Sequence, residues 1–380
     1  MPDIDPIPLA RLTTLRTGGV PERIIDAHSR DELVAALRGE WATGERWLAL
    51  GGGSNLFVGD GEFDGTVVRI LTTGIQRVPT AASGFVRLRI EAGHDWDALV
   101  AFAVAGGLAG IEGMSGIPGT VGAAPVQNVG AYGQEIEQTL VEVEILEEST
   151  GDVVVVPAAD LGLGFRTSVF KAHYGSVAER PSVILSVTLE LEHVGNAPRI
   201  VHDERLRMAL GYAPGALATL GDVRERVLAM RRAKGMVLDA SDPDTHSAGS
   251  FFQNAIVSPE FARTLPVECP RWPIRPDDVT ETVIPLAEYD GVLPVRDTAR
   301  AGSDVKISAG WLIEHAGLRK GFSLPRSRAA LSTKHALALT NRGGASAAEL
   351  AELARFVQRR VHAEFGLLLQ PEPVLVDVEL

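Results

Sequence analysis

The chain has 380 residues, of which 45% are hydrophobic and 22% charged, and its formal net charge at pH 7 is −13. This length accommodates two or three domains, and the hydrophobic content is typical of a globular protein with buried cores. The acidic balance argues against a nucleic-acid partner or a membrane-surface role, since both need basic patches. An anionic substrate would therefore have to be bound by a few local cations.

Cysteine usage and hydropathy exclude further classes of protein. The single cysteine, Cys269, cannot form an intrachain disulfide, and no cluster of Cys and His has the spacing of a structural metal site. Residues 1–14 contain neither a basic segment nor a continuous apolar run, and no later stretch is long enough to span a membrane. We expect a cytoplasmic protein with no metal and no membrane partner.

The first region is predicted to be a compact β-α-β-β unit. Ser29 and Glu32 form a capping-box pattern at the start of an amphipathic helix. An apolar strand at 48–50 then breaks into three glycines, and a further strand is predicted at 66–71.

The second region is predicted to be α+β with a mostly antiparallel sheet. Apolar and charged residues alternate over 85–91, as in a half-buried strand, and Asp95 caps an apolar helix. Apolar runs on either side of a turn predict a hairpin over 141–156, and a strand at 183–191 closes the region.

A segment predicted to be a loop, 194–221, follows and carries Tyr212. The next helix ends in a cluster of cations that includes Arg231 and Lys234. Cations at a helix C-terminus suit the helix dipole, so capping and ligand binding are equally well supported for this cluster.

A polar stretch at 239–244 is predicted to be a hinge that leads into a third region. The elements predicted there are a helix at 309–315, a strand at 335–340, a helix that starts at a capping box of Ser346 and Glu349, and a final strand at 374–380.

Two glycine-rich segments carry the strongest functional signal. Residues 114–133 are rich in Gly and Ala and contain no Lys, Arg, Asp or Glu, while 48–57 includes three consecutive glycines. Such backbone can approach a ligand closely and bind phosphate oxygens through its N–H groups, although a tight turn explains either segment equally well. Two of them together favour a long ligand with a diphosphate. Neither matches a P-loop or a Rossmann fingerprint.

Four polar residues stand out from the solvated surface. Arg166 lies in a largely apolar run, where a guanidinium needs a fixed anionic partner, and a structural ion pair is the simpler explanation. Ser250 follows a glycine and precedes two phenylalanines, as a turn residue also would. Glu372 stands between two prolines, and Lys234 has the capping role already given. None of the four indicates a reaction by itself.

The motifs together resemble one family, the UDP-N-acetylenolpyruvoylglucosamine reductases, over nearly the whole chain. The resemblance is carried in order by 15–19 (LRTGG), 51–55 (GGGSN), 117–119 (IPG), 127–133 (QNVGAYG), 165–170 (FRTSVF), 249–254 (GSFFQN), 309–314 (AGWLIE) and 371–372 (PE). So many motifs in one order make a coincidental match very unusual, whereas a short one such as 371–372 would carry nothing alone.

The resemblance implies an α+β protein with a two-subdomain FAD-binding module of the oxidase-like, non-Rossmann type and a C-terminal α+β substrate domain. The implied boundaries are 1–73 for the first FAD subdomain, 74–238 for the second with an extra loop at 195–221, and 239–370 for the substrate domain. Residues 371–380 are expected to pack back near the first subdomain. The extra loop resembles one found in one type of the family, where a tyrosine folds over the substrate.

The implied activity is the NADPH-dependent, FAD-mediated reduction of UDP-N-acetylglucosamine enolpyruvate to UDP-N-acetylmuramate in peptidoglycan precursor synthesis, by a monomer that holds FAD without a covalent bond. The implied catalytic residues are Ser250 as proton donor, Arg166 as the group that binds the carboxylate of the enolate-like species, and Glu372 as its support. The implied cofactor-binding residues are Gly51, Gly52, Gly53, Ser54, Asn55, Ser115, Ile117, Pro118, Gly119 and Gly122. The implied substrate-binding residues are Tyr212, Lys234, Arg231, Asn254 and Tyr132.

Two positions depart from the family pattern, and two other functions compete. Ala255 and Pro373 stand where the family usually has proline and an apolar residue; a proline at the second position is able to shift the backbone of Glu372. One alternative is an oxidase on the same FAD scaffold, although 51–55 holds no histidine for the covalent flavin link that many such oxidases use. The other is a flavin or nucleotide-sugar binder without turnover.

Overall fold

The structure, a computed structural model, describes residues 3–171, 178–274 and 304–380. Its α-helices are α1 Arg30–Thr43, α2 Trp96–Ala105, α3 Glu204–Ala209, α4 Leu220–Ala233, α5 Pro259–Thr264, α6 Ala309–His315 and α7 Ala347–Phe365. Its strands are β1 Asp3–Ile4, β2 Pro21–Ala27, β3 Trp47–Leu50, β4 Leu56–Val58, β5 Phe63–Ile70, β6 Ile75–Val78, β7 Phe85–Glu91, β8 Leu108–Ala109, β9 Gly130–Ala131, β10 Gln134–Glu135, β11 Leu140–Glu147, β12 Val153–Pro157, β13 Ser182–His193, β14 Arg199–Ile200, β15 Leu217–Ala218, β16 Ala255–Val257, β17 Arg271–Pro273, β18 Val305–Ile307, β19 Ala329–Leu331, β20 Leu339–Asn341 and β21 Val374–Val376.

The first sheet has the order β1-β2-β5-β3, in which β5 runs parallel to both β2 and β3. The neighbouring strands β2 and β5 have buried residues on both faces, so successive residues enter different cores: Ile24 packs with one cluster and Ile25 with another. Helix α1 covers the second face with Leu33 and Leu37. Ser29 forms the predicted capping box with Glu32.

The second sheet is antiparallel, which confirms the predicted type of sheet, and its strand order is β12-β11-β13-β7-β6. Asp95 caps α2 through the backbone N–H of Ala98, and the helix buries Trp96 against the same core that α1 covers. One hydrophobic core therefore joins the first and second sheets. This continuity positions the two glycine-rich segments against each other.

The C-terminal region has a core of its own. Its three-stranded sheet, β16-β18-β17, and the β19–β20 hairpin pack with α6 and α7. Leu350, Leu353, Val357 and Val361 of α7 are fully buried, at the helical spacings of the sequence pattern. Among the residues that the structure describes, no helix is both long and apolar enough to cross a membrane, and no group of side chains could hold a metal ion.

Three sequence predictions about secondary structure are wrong in detail. The segment 194–221 is not simply a loop: Asp203 caps α3 inside it, because Leu206 can then be buried. The strand predicted at 335–340 starts only at Leu339, since the preceding residues form a turn. The final strand stops at Val376, because Asp377 has a left-handed φ of 55°.

Candidate active site

A cleft of about 380 Å³ lies where the three regions meet. Both glycine-rich segments line it, together with residues 248–250 and the C-terminal Glu372. The predicted cofactor residues that line it are Gly51, Gly52, Gly53, Ser54, Asn55, Ile117, Pro118 and Gly119. The cleft therefore brings most of the predicted cofactor residues together with the predicted catalytic ones.

The two glycine turns touch each other directly. A Cβ at Gly52 would lie 2.7 Å from the Cα of Gly119, and a Cβ at Gly51 would lie 2.5 Å from the Thr120 hydroxyl oxygen. Ser54 then ties the turns together by donating its hydroxyl to the Pro118 carbonyl at 2.9 Å. These glycines are thus required for the contact between the segments, which together form a backbone-rich wall of the cleft.

Two predicted cofactor residues, Ser115 and Gly122, do not line the cleft. Ser115 is fully buried and donates its hydroxyl to the Glu112 carbonyl at 2.6 Å. Gly122 packs so closely on Ala92 that a Cβ would lie 2.6 Å from the alanine Cβ. Both residues support the glycine-rich loop on the side that does not line the cleft. Their contact with the cofactor remains a prediction.

The Arg166 guanidinium is held on several sides at the cleft. Nη1 donates to the Asn128 carbonyl at 3.2 Å and Nη2 to the Gly130 carbonyl at 3.0 Å, while Nε lies 3.0 Å from Glu372 Oε1. Arg166 itself has a φ of 58°, a left-handed conformation that costs about 1–3 kcal/mol outside glycine. Each terminal nitrogen keeps a second N–H, so an oriented guanidinium can bind a carboxylate.

A short backbone ladder holds Ser250 and Glu372 near each other. Glu372 donates its N–H to the Phe251 carbonyl at 2.8 Å, and Gln253 donates to the Gln370 carbonyl at 2.9 Å. Phe251 is fully buried beneath this ladder. The two residues predicted to be catalytic are therefore placed by the packing of one rigid core.

The unusual Pro373 fits this ladder without breaking it. The N–H groups of Glu372 and Val374 on either side are both used, the second by the Asn55 carbonyl at 2.9 Å. Proline has no N–H to donate, and none is used between them. The departure from the family pattern leaves the Glu372 backbone anchored at both neighbours.

Lys171 is a cation of the cleft that the sequence reasoning did not select. Its ammonium lies 3.4 Å from Gln127 Oε1 and 3.3 Å from the Glu372 carbonyl oxygen. Burial lowers the pKa of Lys171; the Arg166 charge adds to this, and Glu372 opposes it. Asn55 donates to the same Gln127 oxygen at 2.8 Å. This network joins the two glycine-rich segments to the residue predicted to be catalytic.

Of the predicted substrate residues, only Arg231 lines the cleft. Lys234 lies 5.9 Å from the centre of the Tyr132 ring, and Tyr212 stacks under the guanidinium of Arg226 at 4.5 Å. These two tyrosines join the small core that buries α3 against α4. Their contact with substrate remains a prediction.

Asn254, also predicted to bind substrate, accepts the Ala309 N–H at 3.0 Å and so anchors the start of α6. This structural bond uses its side-chain oxygen, and the amide nitrogen keeps its two donors. Binding of substrate by Asn254 remains a prediction.

Comparisons with known proteins agree with this arrangement. Residues 21–157 match the model of an FAD binding domain, and residues 242–376 match the model of the UDP-N-acetylenolpyruvoylglucosamine reductase C-terminal domain. A UDP-N-acetylenolpyruvoylglucosamine reductase of Leifsonia xyli subsp. xyli is 50% identical, covering 99% of this chain and 100% of the relative. The chain belongs to the UDP-N-acetylenolpyruvoylglucosamine reductase family.

Other relatives of this family support the assignment. A reductase of the same name from Mycobacterium tuberculosis is 44% identical over 98% of this chain and 95% of the relative. The crystal structure of the Thermus caldophilus UDP-N-acetylenolpyruvylglucosamine reductase has a TM-score of 0.59 and 24% identity, covering 99% of both chains, and shows a shared fold. The predicted family, fold class and FAD cofactor are confirmed.

The residues of the cleft fit FAD. Residues 51–55 and 117–119, which line the cleft, contain no charged side chain, so their backbone suits close approach of a diphosphate. Arg166, Lys171 and Arg231 supply positive charge to the same space, although the chain as a whole is acidic. In a reductase of this family, residues 51–55 and 117–119 would therefore hold the diphosphate.

The residues that sequence reasoning missed had weak local signals. Lys171 ends the run that begins at Phe165, and a lysine after an apolar pair usually lies in solvent. Gln127 begins the motif 127–133, which points to the family but assigns no function to this side chain. His335 lies 3.5 Å from Ser250 but 85 residues away in sequence, so only the fold brings the two together.

We expect Gly53→Ala to lower both the melting temperature and the retention of flavin. Gly53 has a φ of 60°, and a Cβ there would lie 2.1 Å from the Leu12 carbonyl oxygen. The strained backbone alone costs about 1–2 kcal/mol, and the contact with a main-chain atom adds to it. The measurement is bound flavin per protein after gel filtration, together with the melting temperature of the apoprotein.

The matched control is Gly61→Ala, because no atom lies within 4 Å of the Cβ position there. This variant should keep the flavin content and melting temperature of the unmodified chain. Full flavin retention by Gly53→Ala would contradict the assigned role of the triple-glycine turn.

Proposed function

We propose that this cleft reduces UDP-N-acetylglucosamine enolpyruvate to UDP-N-acetylmuramate in peptidoglycan precursor synthesis, with bound FAD and with NADPH as reductant. One observation supports assigning catalytic roles to three residues. Arg166, Ser250 and Glu372 come from distant parts of the chain and meet beside the two glycine turns. Family membership supplies the activity, and this convergence supports the roles below.

Arg166 binds the substrate carboxylate. The chemistry that FAD supplies when bound is hydride transfer, from NADPH and then to the terminal vinyl carbon of the substrate. Negative charge then accumulates on the carboxylate, where the free N–H groups of a guanidinium already fixed by two carbonyls can bind it. A preorganised charge of this kind stabilises a transition state without reorganising.

Glu372 forms an ion pair with the Arg166 guanidinium, in which Oε1 lies 3.0 Å from Nε. The pair is mostly buried, with side-chain exposures of 19% and 14%. A carboxylate in this position keeps the arginine in one orientation and offsets its charge before substrate binds.

Ser250 donates the final proton to the substrate carbon. An alkyl hydroxyl is a weak acid, so it needs a strongly basic acceptor and nearby positive charge. Arg231 lines the same cleft as Ser250, and Lys234 follows it at the end of α4. We assign to these cations the binding of the UDP diphosphate and the stabilisation of the serine oxygen.

The test is an anaerobic visible spectrum, recorded first after NADPH and then after UDP-N-acetylglucosamine enolpyruvate. A flavin that bleaches with NADPH and recovers with the enolpyruvate establishes both half-reactions. Recovery only when air is admitted would support an oxidase instead, and a protein that cannot take up FAD would remove the basis of the proposal.

The cytoplasmic location, the monomeric state and the domain boundaries at 73, 238 and 370 are further parts of this proposal. The acidic, cysteine-poor composition supports the first. Sedimentation velocity at two protein concentrations tests the second; a concentration-dependent sedimentation coefficient would overturn it.

A further inference from the structure

His335 lies beside the serine that is assigned the proton transfer. Its Nε2 is 3.5 Å from Ser250 Oγ. We propose that His335 is a positioning residue whose Nε2–H donates a hydrogen bond to Ser250 Oγ, which directs the serine proton into the cleft. The inference rests on the proposed role of Ser250 and extends it to a partner of that hydroxyl.

The main chain fixes the distance between the two side chains. Phe251, next to Ser250, donates its N–H to the carbonyl of Leu337 at 2.8 Å, two residues after His335. The Ser332 hydroxyl accepts the N–H groups of Lys334 and His335 at 3.0 and 3.2 Å. The histidine is therefore carried on a closed turn that is bonded to the serine segment.

Two carboxylates hold the other side of this turn. Asp244 is buried and accepts the Thr333 N–H at 2.8 Å, and Asp242 forms an ion pair with Lys334 at 2.5 Å. Both belong to the stretch 239–244 that the sequence predicts to be a hinge. In the structure, residues 239–244 hold the turn that carries His335, through the carboxylates of Asp242 and Asp244.

The charge state of the ring suits a neutral hydrogen-bond donor. Burial and, after it, the positive charges of Lys234, Lys320 and Arg231 together lower the pKa of His335 to about 4. At neutral pH the ring is therefore uncharged and carries a single N–H. If Nε2 accepted the serine proton instead, the hydroxyl could not direct that proton to substrate, so the proposed role of Ser250 requires the Nε2–H tautomer.

The proton transfer balances with this arrangement. The Ser250 O–H bond breaks, a C–H bond forms at the substrate carbon, and the electron pair stays on Oγ. The resulting alkoxide is stabilised by the His335 N–H and by the cations that line the site. Solvent returns a proton to Oγ once product has left.

The test measures the two half-reactions separately in anaerobic stopped flow. We expect His335→Ala to be bleached by NADPH within twofold of the unmodified rate and to be reoxidised by substrate about 10- to 100-fold more slowly, the loss of one hydrogen bond to a developing charge. His335→Gln should restore reoxidation to within about fivefold, since its amide N–H reaches as far as Nε2. His335→Asn should not, because its shorter amide reaches only as far as Nδ1.

A double-mutant cycle separates positioning from a general structural effect. If His335 acts through the serine, Ser250→Ala/His335→Ala is reoxidised no more slowly than Ser250→Ala. Additive slowing, equal loss in both half-reactions, or a Gln variant as slow as the Ala variant would overturn the inference. The exposed His362 on α7 supplies the control substitution, His362→Ala, which should change neither rate.

The same measurements distinguish this inference from the proposed function. If Ser250→Ala is reoxidised at the normal rate, the assignment of the serine fails, and the inference fails with it. If Ser250→Ala is slow while His335→Ala is normal, only the role of His335 is overturned.

Discussion

Ser250→Ala should be reduced by NADPH at the normal rate but should be reoxidised by substrate roughly 10²–10⁴-fold more slowly. The reason is that the serine hydroxyl supplies a proton only after hydride has reached the substrate, so the first half-reaction does not need it. The backbone ladder between 251 and 372 does not involve the hydroxyl, so the site should keep its shape. Stopped-flow absorbance of the flavin after each addition measures both rates.

Ser149→Ala is the matched control, since Ser149 is exposed in the turn between β11 and β12. It should leave both rates unchanged. Loss of the two half-reactions to the same extent in Ser250→Ala would show that the substitution damages flavin or the fold, and the assigned proton transfer would be rejected.

Arg166→Lys should slow substrate-driven reoxidation about 10²–10³-fold, the range seen when one donor to a developing oxyanion is removed. A lysine has the same charge, but its single ammonium cannot replace the arginine guanidinium. The guanidinium donates to the carbonyls of Asn128 and Gly130, pairs with Glu372, and keeps N–H groups for a substrate carboxylate. Reduction by NADPH should remain within a few-fold. The readouts are the two half-reaction rates and the substrate affinity of the oxidised enzyme.

Arg46→Lys tests whether replacing any arginine that pairs with a carboxylate would slow substrate-driven reoxidation. Arg46 also binds a carboxylate through two nitrogens, at 2.9 and 2.7 Å from Asp377, but it does not line the cleft. We expect normal rates in this control. If Arg166→Lys also kept its normal rate, the carboxylate-binding role would be excluded.

Much of the secondary structure could be predicted because its causes are local. The capping boxes at Ser29 and Ser346 place a hydroxyl and a carboxylate three residues apart, and both helices start there. Alternating side chains over 85–91 predict the strand that is found. Local exceptions arise where tertiary packing decides: α3 forms inside 194–221 because Leu206 finds a core against α4.

The family, the FAD cofactor and the candidates Arg166, Ser250 and Glu372 could be predicted from contiguous motifs, because the order of such motifs along the chain can be compared directly. How the three residues meet depends on the folded chain. Glu372 reaches Arg166 because backbone hydrogen bonds join residues 370–372 to residues 251–253, directly after Ser250. His335 reaches the serine hydroxyl from 85 residues away, through a turn that Asp244 holds. Contacts of this range depend on packing between cores, which leaves no short-range pattern in the chain.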